Sequence, residues 1–374
     1  MKKWLWEHKQ YPSFPYQAEA IINEIDNTAQ SIGKLSTLID ILDHAKEQNI
    51  VVETFIEEII ASNAIEGEYL NYDSVRSSVR KRLDKSFTLG EDSSTHHTDA
   101  LTSLLIDSNL NHKSLTLERL HKWHSALFAG GYSSLLEDIN IGIFRNYDDM
   151  EVVSGAHGRE RVHYRASPAA SIEKDINKLL EYINTCSENP YIKSAKAHLW
   201  FVSIHPYDDG NGRVARVIAD YILSKNMNLG YKYFSISSSI QLDKKGYYEA
   251  LENSQNLLYN RGYDFTKWIK WHTQTLRASV DLGLKKVDIV VQKAKFWNRV
   301  DQEKLNARQI KTLNKLLEYP KNEFEGGLST KKYMNMTKVS KPTAFRDIQE
   351  LVTLGYIQQI EGTAGRSVKY ELVF

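Results

Sequence analysis

Three observations predict a mainly α fold. The 374 residues include only 7 prolines. Long stretches repeat apolar residues at three- and four-residue steps, the mark of helices with a buried face. Runs of β-prone residues are few and short. The length suits two or three domains with a sizeable core.

Residues 1–16 are rich in Trp, Tyr and Pro (Trp4, Trp6, Tyr11, Pro12, Phe14, Pro15, Tyr16) and predict an irregular arm lying on a core. Residues 17–66 read as helices. Between Ile50 and Ile65, the residues Val51, Phe55, Ile59, Ile60 and Ala64 mark one buried face. Gly67 is a helix stop, and residues 86–95 form a loop. Helices resume at Asp99–Ile106 and Leu115–Phe128. Val152-Val153 and Val162–Tyr164, either side of a Gly-containing turn, predict a hairpin. Helices return at 171–186 and 190–204. The second must end or bend at His205-Pro206, because proline disfavours helical dihedrals in the residue before it. A further helix runs from Val214, with Val217, Ile218, Tyr221 and Ile222 on the same face. Residues 283–305 read as a connecting helix or linker. The tail reads as a helix (Arg308–Leu317), a loop through Gly326-Gly327 and two short helices. Strands at Tyr356–Ile360 and Lys369–Val373 then flank Thr363-Ala364-Gly365-Arg366.

Composition excludes several classes. Lys and Arg total 48 against 47 Asp and Glu, which excludes coating of a polyanion by bulk charge. With 41% hydrophobic and 25% charged residues, wholesale disorder is excluded. No apolar run reaches the roughly 18 residues a membrane span needs. The start, MKKWLWEHKQ, breaks its apolar stretch at Glu7 and does not read as a signal peptide. Cys186 is the single cysteine, so no intrachain disulfide framework or thiolate zinc site exists. The expectation is a cytoplasmic protein of a reducing compartment, with no membrane partner. His96-His97 with Asp99 read as a surface loop rather than metal ligands, and Cys186 as a non-catalytic thiol.

The most informative stretch is His205-Pro206-Tyr207-Asp208-Asp209-Gly210-Asn211-Gly212-Arg213-Val214-Ala215-Arg216. A loop with two glycines opens directly onto a helix. Glycine lets backbone approach a ligand, and a helix start offers unpaired N–H groups and positive dipole charge to phosphate. Arg213 and Arg216 add bidentate anion clamps. Asp209 supplies a hard oxygen of the kind Mg²⁺ takes beside phosphates. His205 is able to accept a proton near neutral pH. Together they point to phosphoryl or nucleotidyl transfer. The same stretch fits G-x-G-x-x-A, but a dinucleotide fold needs a preceding strand, and Ser194–Ile204 reads as helix.

HPYDDGNGRVAR resembles the signature of Fic-domain proteins, H-P-[FY]-x-[DE]-G-N-G-R-x-x-R, and matches every specified position. The resemblance implies a Fic-type helical core and transfer of AMP from ATP to a hydroxyl (Ser/Thr/Tyr) of a target protein, the chain itself included. It implies His205 as base and Tyr207 packed under the loop. Asp209 would hold Mg²⁺. Gly210, Asn211 and Gly212 would bind the α- and β-phosphates, and Arg213 and Arg216 the pyrophosphate end. Asp208 falls at the variable position. Ser62-Asn63-Ala64-Ile65-Glu66-Gly67 is similar to the family's inhibitory motif, [ST]-x-x-x-E-[GN]. Glu66 would then pair with Arg216 and fill the γ-phosphate space. The hairpin is similar to the family's flap, whose strand edge pairs with the target segment. Val153, Ser154, Gly155 and Ala156 would line the nucleotide. Tyr248 and Gln255 fall where the family closes its adenine pocket, with Gln255 a departure from the usual Asn. The Trp-rich start is similar to that of many bacterial Fic proteins.

The expected organisation is an N-terminal helical region with arm and inhibitory helix (1–94), a Fic catalytic core (95–280), a connecting helix or linker (281–305) and a winged-helix-like domain (306–374). In the tail, Ser329–Met336 and a recognition helix N-capped by Ser340 would form a helix-turn-helix, with Gly365-Arg366 as the wing. It carries 11 Lys+Arg against 7 Asp+Glu, an excess that permits DNA contact without demanding it. Two alternatives stay open: removal of AMP with Glu66 orienting a water, and a DNA-binding regulator whose core only senses nucleotide. A homodimer is also left open.

Overall fold

The computed structural model describes residues 3–84, 88, 92–129, 139–155, 159–227, 229, 232–319, 324 and 326–374. The chain divides into two compact units, residues 1–33 with 47–281, and residues 34–46 with 282–374.

In the first unit the helices are α1 (Ile22–Ile39, whose end belongs to the second unit), α2 (His44–Ile65), α3 (Tyr72–Leu83), α4 (His96–Leu110) and α5 (Leu117–Leu127). A hairpin of β1 (Glu151–Ser154) and β2 (Arg161–Arg165) follows. Then come α6 (Ile172–Thr185), α7 (Pro190–Ile204), α8 (Asn211–Met227), α9 (Ile236–Leu242) and α10 (Lys244–Gln255). The mainly α expectation holds, and the hairpin lies where the sequence placed it. α11 (Thr266–Arg299) is one helix of 34 residues running through the segment read as connecting helix or linker. Asn71, Thr95, Thr116 and Asn189 each cap a helix start with a side-chain oxygen.

α7 and α8 pack side by side at the centre. Ala195, Leu199, Phe201 and Ile204 of α7 are buried, as are Val214, Val217, Ile218, Tyr221 and Ile222 of α8. α2 departs from its expected single buried face. Val51, Phe55, Ile59 and Ala64 are buried and Ile60 half-buried, but Val52, Thr54, Ile56 and Glu58 are buried too. Glu58 explains the polar part. Its carboxylate pairs with buried Lys232, which also pairs with Asp220 of α8, and the Ser235 hydroxyl donates to it at 2.7 Å. Buried charges persist only with such partners.

The aromatic arm does lie on the core. Trp4, Leu5 and Phe14 are buried. Phe14 packs against Trp200 and Phe265. Trp4 meets Tyr164 of β2 edge-on at 5.7 Å, and the Trp6 indole donates to the Arg165 carbonyl at 2.9 Å. The arm thus braces the base of the hairpin.

The second unit holds α12 (Ala307–Leu316), α13 (Thr330–Thr337), α14 (Lys341–Thr353) and an antiparallel pair, β3 (Ile357–Gln359) with β4 (Tyr370–Leu372). Leu313, Leu328, Tyr333, Ile348, Leu351 and Ile357 form its core. Asp347 accepts from Arg308 Nε at 2.8 Å and the Tyr333 hydroxyl at 2.9 Å. Burial raises its pKa, but these donors outweigh it and hold the carboxyl below its usual range. Ser340 stands at the start of α14, but its hydroxyl meets Thr343 Oγ1 at 3.0 Å, so it caps no backbone N–H.

Candidate active site

The signature loop leaves α7 through His205, whose φ of +52° lies in the left-handed region. That is uncommon for a residue with a Cβ and is tolerated where surroundings over-determine it. Here the His205 N–H still donates to the Phe201 carbonyl at 3.0 Å. Arg145 grips the loop, its Nε donating to the His205 carbonyl at 2.8 Å and its N–H to the Pro206 carbonyl at 2.9 Å. The Tyr207 ring is fully buried, stacked on His124 with centroids 3.8 Å apart. Gly210 has φ +78°, and a Cβ there would come within 2.9 Å of the Phe128 ring. Both facts require glycine.

Asn211 is spent within the loop. Its Oδ1 accepts from the Tyr207 N–H at 3.0 Å and its Nδ2 donates to the Tyr207 carbonyl at 2.8 Å. The side chain expected to bind phosphate is therefore a clasp, and the backbone amide at the helix start is what Asn211 has to offer a ligand.

His205 Nδ1 lies 3.2 Å from the Val202 carbonyl. A carbonyl only accepts, so Nδ1 carries the proton and Nε2 keeps the lone pair of the neutral ring. Burial pulls its pKa down to about 4, against smaller upward effects of the Val202 contact, Asp209 and Glu66. The ring is neutral at physiological pH, the state a base needs.

Glu66 lies just past the end of α2. Its Oε1 is 2.9 Å from Arg216 Nη1 and its Oε2 accepts from the Tyr248 hydroxyl at 3.2 Å. Arg216 also donates to the Ser62 hydroxyl at 3.0 Å and the Ser62 carbonyl at 2.8 Å. The two motifs found far apart in the sequence meet here. Burial raises the Glu66 pKa, but Arg216 outweighs it and the net shift is downward. Gly212 makes the approach possible, since a Cβ would collide with Glu66 Oε1.

Arg213 is buried with a partner the sequence did not suggest. Its Nη1 donates to Glu68 at 2.6 Å, and its Nη2 lies 3.6 Å from Asp209 Oδ2. The Phe128 ring sits 4.8 Å from the guanidinium carbon. Among the described residues Nε and Nη2 find no hydrogen-bond acceptor. Burial raises the Glu68 pKa, Arg213 lowers it, and the nearby Asp209 and Glu66 carboxylates tip the balance upward.

A cavity of about 680 Å³ joins these parts, a size suited to a small-molecule ligand. Glu66, His205 and Gly212 line it on the motif side. Val153 and Ser154 line it from the hairpin, and Tyr248 and Gln255 from α10. Asp209 and Gly210 in the loop, Asn211, Arg213 and Arg216 in the first turns of α8, Ser62 on α2 and Gly155 after β1 are not among the residues lining it. Ala156 lies outside the described residues. Tyr248 is partly exposed, whereas the buried Gln255 amide donates to the Ser203 hydroxyl at 3.0 Å. The cavity residues missed by the sequence reading include Arg161, His163, Lys244, Lys245, Glu249 and Glu252.

Buried arginines at a helix start, beside a neutral histidine with a free ring nitrogen, have the chemistry of a site for a phosphorylated ligand. Residues 114–223 match the Fic/DOC family, and the chain carries a Fic/DOC domain. Residues 4–84 match a domain of unknown function, DUF4172. The Protein adenylyltransferase Fic of Nematostella vectensis is 27% identical over 249 residues, 63% of this chain and 50% of that protein. A Fido domain-containing protein of Dictyostelium discoideum is 32% identical over 90 residues, 24% of this chain and 57% of that one. The chain thus spans about half the length of the curated relatives it matches. The crystal structure of a Fic family protein from Desulfovibrio desulfuricans superposes with a TM-score of 0.52 at 19% identity, covering 96% of this chain and 98% of that one. That likeness is one of fold. Among the described residues no helix is long and apolar enough to cross a membrane.

Proposed function

We propose that this chain transfers AMP from ATP to a hydroxyl side chain of a protein, with His205 as base and Glu66 holding the reaction in check. The observation that carries the reading is one cavity lined both by the neutral His205 and by Glu66, already paired with Arg216. His205 Nε2 takes the proton of the incoming hydroxyl. The hydroxyl oxygen bonds to the α-phosphorus and pyrophosphate leaves. The amides at the start of α8, with Arg213 and Arg216, stabilise the charge that builds there. The unpaired Nε and Nη2 of Arg213 are donors ready for phosphate oxygens.

Asp209 fits Mg²⁺ as a single hard carboxylate at the edge of this anion site. Among the described residues no group of three or more His, Cys, Asp or Glu gathers as a cage. This suits an ion that takes most ligands from phosphate and water and neutralises phosphate charge. Among the described residues β1 pairs with β2 alone, so its outer edge is open to a target strand.

Glu66 occupies the arginine that the end of the triphosphate needs. Replacing it by glycine raises AMP transfer to a mixed pool of protein acceptors at least about tenfold. His205→Ala on that background lowers it by about 10²–10⁴-fold. Equal labelling by Glu66→Gly and the parent sinks the inhibitory role. An ionised Glu66 at the cavity wall also suits orienting a water. Release of AMP from an AMP-bearing protein, lost in Glu66→Gln, is the result that favours removal over transfer.

For the tail, the order of three helices and a hairpin supports the winged-helix reading. Its contact is with DNA if the full chain binds duplex with a steep salt dependence, and with protein if it does not.

A further inference from the structure

His163 is the residue left over in the hairpin register. Val152 faces Tyr164 and Val153 faces Val162, so His163 bulges from β2. Such bulges re-aim a side chain, often beside an active site. The ring reaches two partners. Its Nδ1 lies 2.7 Å from Glu252 Oε2 on α10, and its Nε2 lies 2.5 Å from the Ser154 hydroxyl on β1. Arg161 Nη2 meets the other Glu252 oxygen at 2.5 Å. A carboxylate accepts, so Nδ1 donates to Glu252, and Nε2 faces the Ser154 hydroxyl, where its lone pair is placed to take that proton. Ser154 is exposed, and Ser154, His163 and Glu252 all line the cavity shared with His205. The order is hydroxyl, base and orienting carboxylate, the arrangement that activates a serine.

We propose that Ser154 is an acceptor for AMP within the chain, activated by His163 and Glu252. The proposal rests on the reading of the site as an AMP transferase. Ser154 Oγ bonds to the α-phosphorus of ATP, the bond from that phosphorus to the bridging oxygen breaks, and pyrophosphate leaves with the electron pair. The Ser154 proton passes to His163 Nε2, and Glu252 steadies the imidazolium. Serine held against a base in the nucleotide cavity needs no docking of a second protein, so the flap marks itself.

The test uses the full-length Glu66→Gly protein, with Glu66→Gln as a second opened form, incubated with ATP and Mg²⁺. Pyrophosphate release is followed, and digestion with tandem mass spectrometry locates the AMP. The expected result is AMP on the Ser154 peptide, absent in the added Ser154→Ala. Adding His163→Gln slows its appearance about 100-fold. Glu252 is a positioning residue. Glu252→Ala leaves the ring unheld and slows AMP on Ser154, whereas Glu252→Gln keeps an oxygen that accepts from His163 Nδ1 and restores most of the rate. A flap that is merely loosened is not rescued by Gln. Pyrophosphate release with AMP on other residues and none on Ser154 overturns this proposal and spares the transferase reading. Neither pyrophosphate nor any adduct from either opened form overturns both. Undiminished Ser154 labelling with His163→Gln overturns the role of His163.

Discussion

Two arginines three residues apart on α8 meet two glutamates two residues apart beyond α2, with opposite outcomes. Arg216 has a carboxylate, a hydroxyl and a carbonyl around it, and Glu66 is held below its usual pKa. Arg213 has the shorter ion pair, 2.6 Å to Glu68, yet Glu68 is pushed up. Burial weighs on both acids. The difference is that Glu66 has the Tyr248 hydroxyl and one dominant arginine, whereas Glu68 shares its arginine with Asp209 and feels two neighbouring carboxylates. Pair distance does not rank the two contacts; the crowd of like and unlike charge does. Arg216 is held by three groups at the end of α2 with only its Nη1 making no hydrogen bond among the described residues, whereas Arg213 leaves both Nε and Nη2 without one.

The comparison breaks most readily at Arg216. Arg216→Met leaves the half-buried Glu66 without its main cation and is expected to cost about 3 kcal/mol of stability, the low end for breaking a buried pair, read by denaturant unfolding. Removing Ser62 is milder. Ser62→Ala deletes one hydrogen bond to a charged group, costs about 1.5 kcal/mol, and raises AMP transfer by less than Glu66→Gly does. A cost as large as that of Arg216→Met would show the serine, not the ion pair, to be the lock.

The pH dependence of stability separates the two acids. The folded pKa of Glu66 is lowered, so its contribution is present above the unfolded value near 4.5 and fades as pH falls through the lower folded value. Glu68 is raised, so its ionisation costs stability as pH climbs through its raised value. Thermal melts from pH 4 to 8 should therefore show Glu66→Gln losing its deficit only on the acid side. Glu68→Gln, the smallest effect, should melt at or above the parent temperature near pH 7. A Glu68→Gln protein less stable than Glu66→Gln at that pH reverses the ranking.

What was legible followed local rules. Apolar periodicity, glycines and proline placed α7, the loop and α8, and a signature of fixed spacing named His205 and both arginines. The Glu66–Arg216 pair was readable because two motifs predict each other. Glu68 was not, since nothing local says that the turn at Gly67, whose φ is +86°, brings the next residue back over Arg213. His163 and Glu252 lie 89 positions apart, and only the bulge in β2 turns one to the other. Asn211 differs again: the resemblance implied a phosphate contact, and its side-chain amide is engaged by the Tyr207 backbone. Glu58, Lys232 and Asp220 escaped for the same reason as Glu68, because buried ion pairs are made by tertiary placement rather than spacing.

The central claim is a transferase locked by Glu66. Its most direct test is the intact mass of the full chain and of Glu66→Gly after incubation with ATP and Mg²⁺. The account predicts added AMP on most of the variant and on little of the parent. Equal masses for the two proteins, both unchanged or both shifted alike, would contradict it.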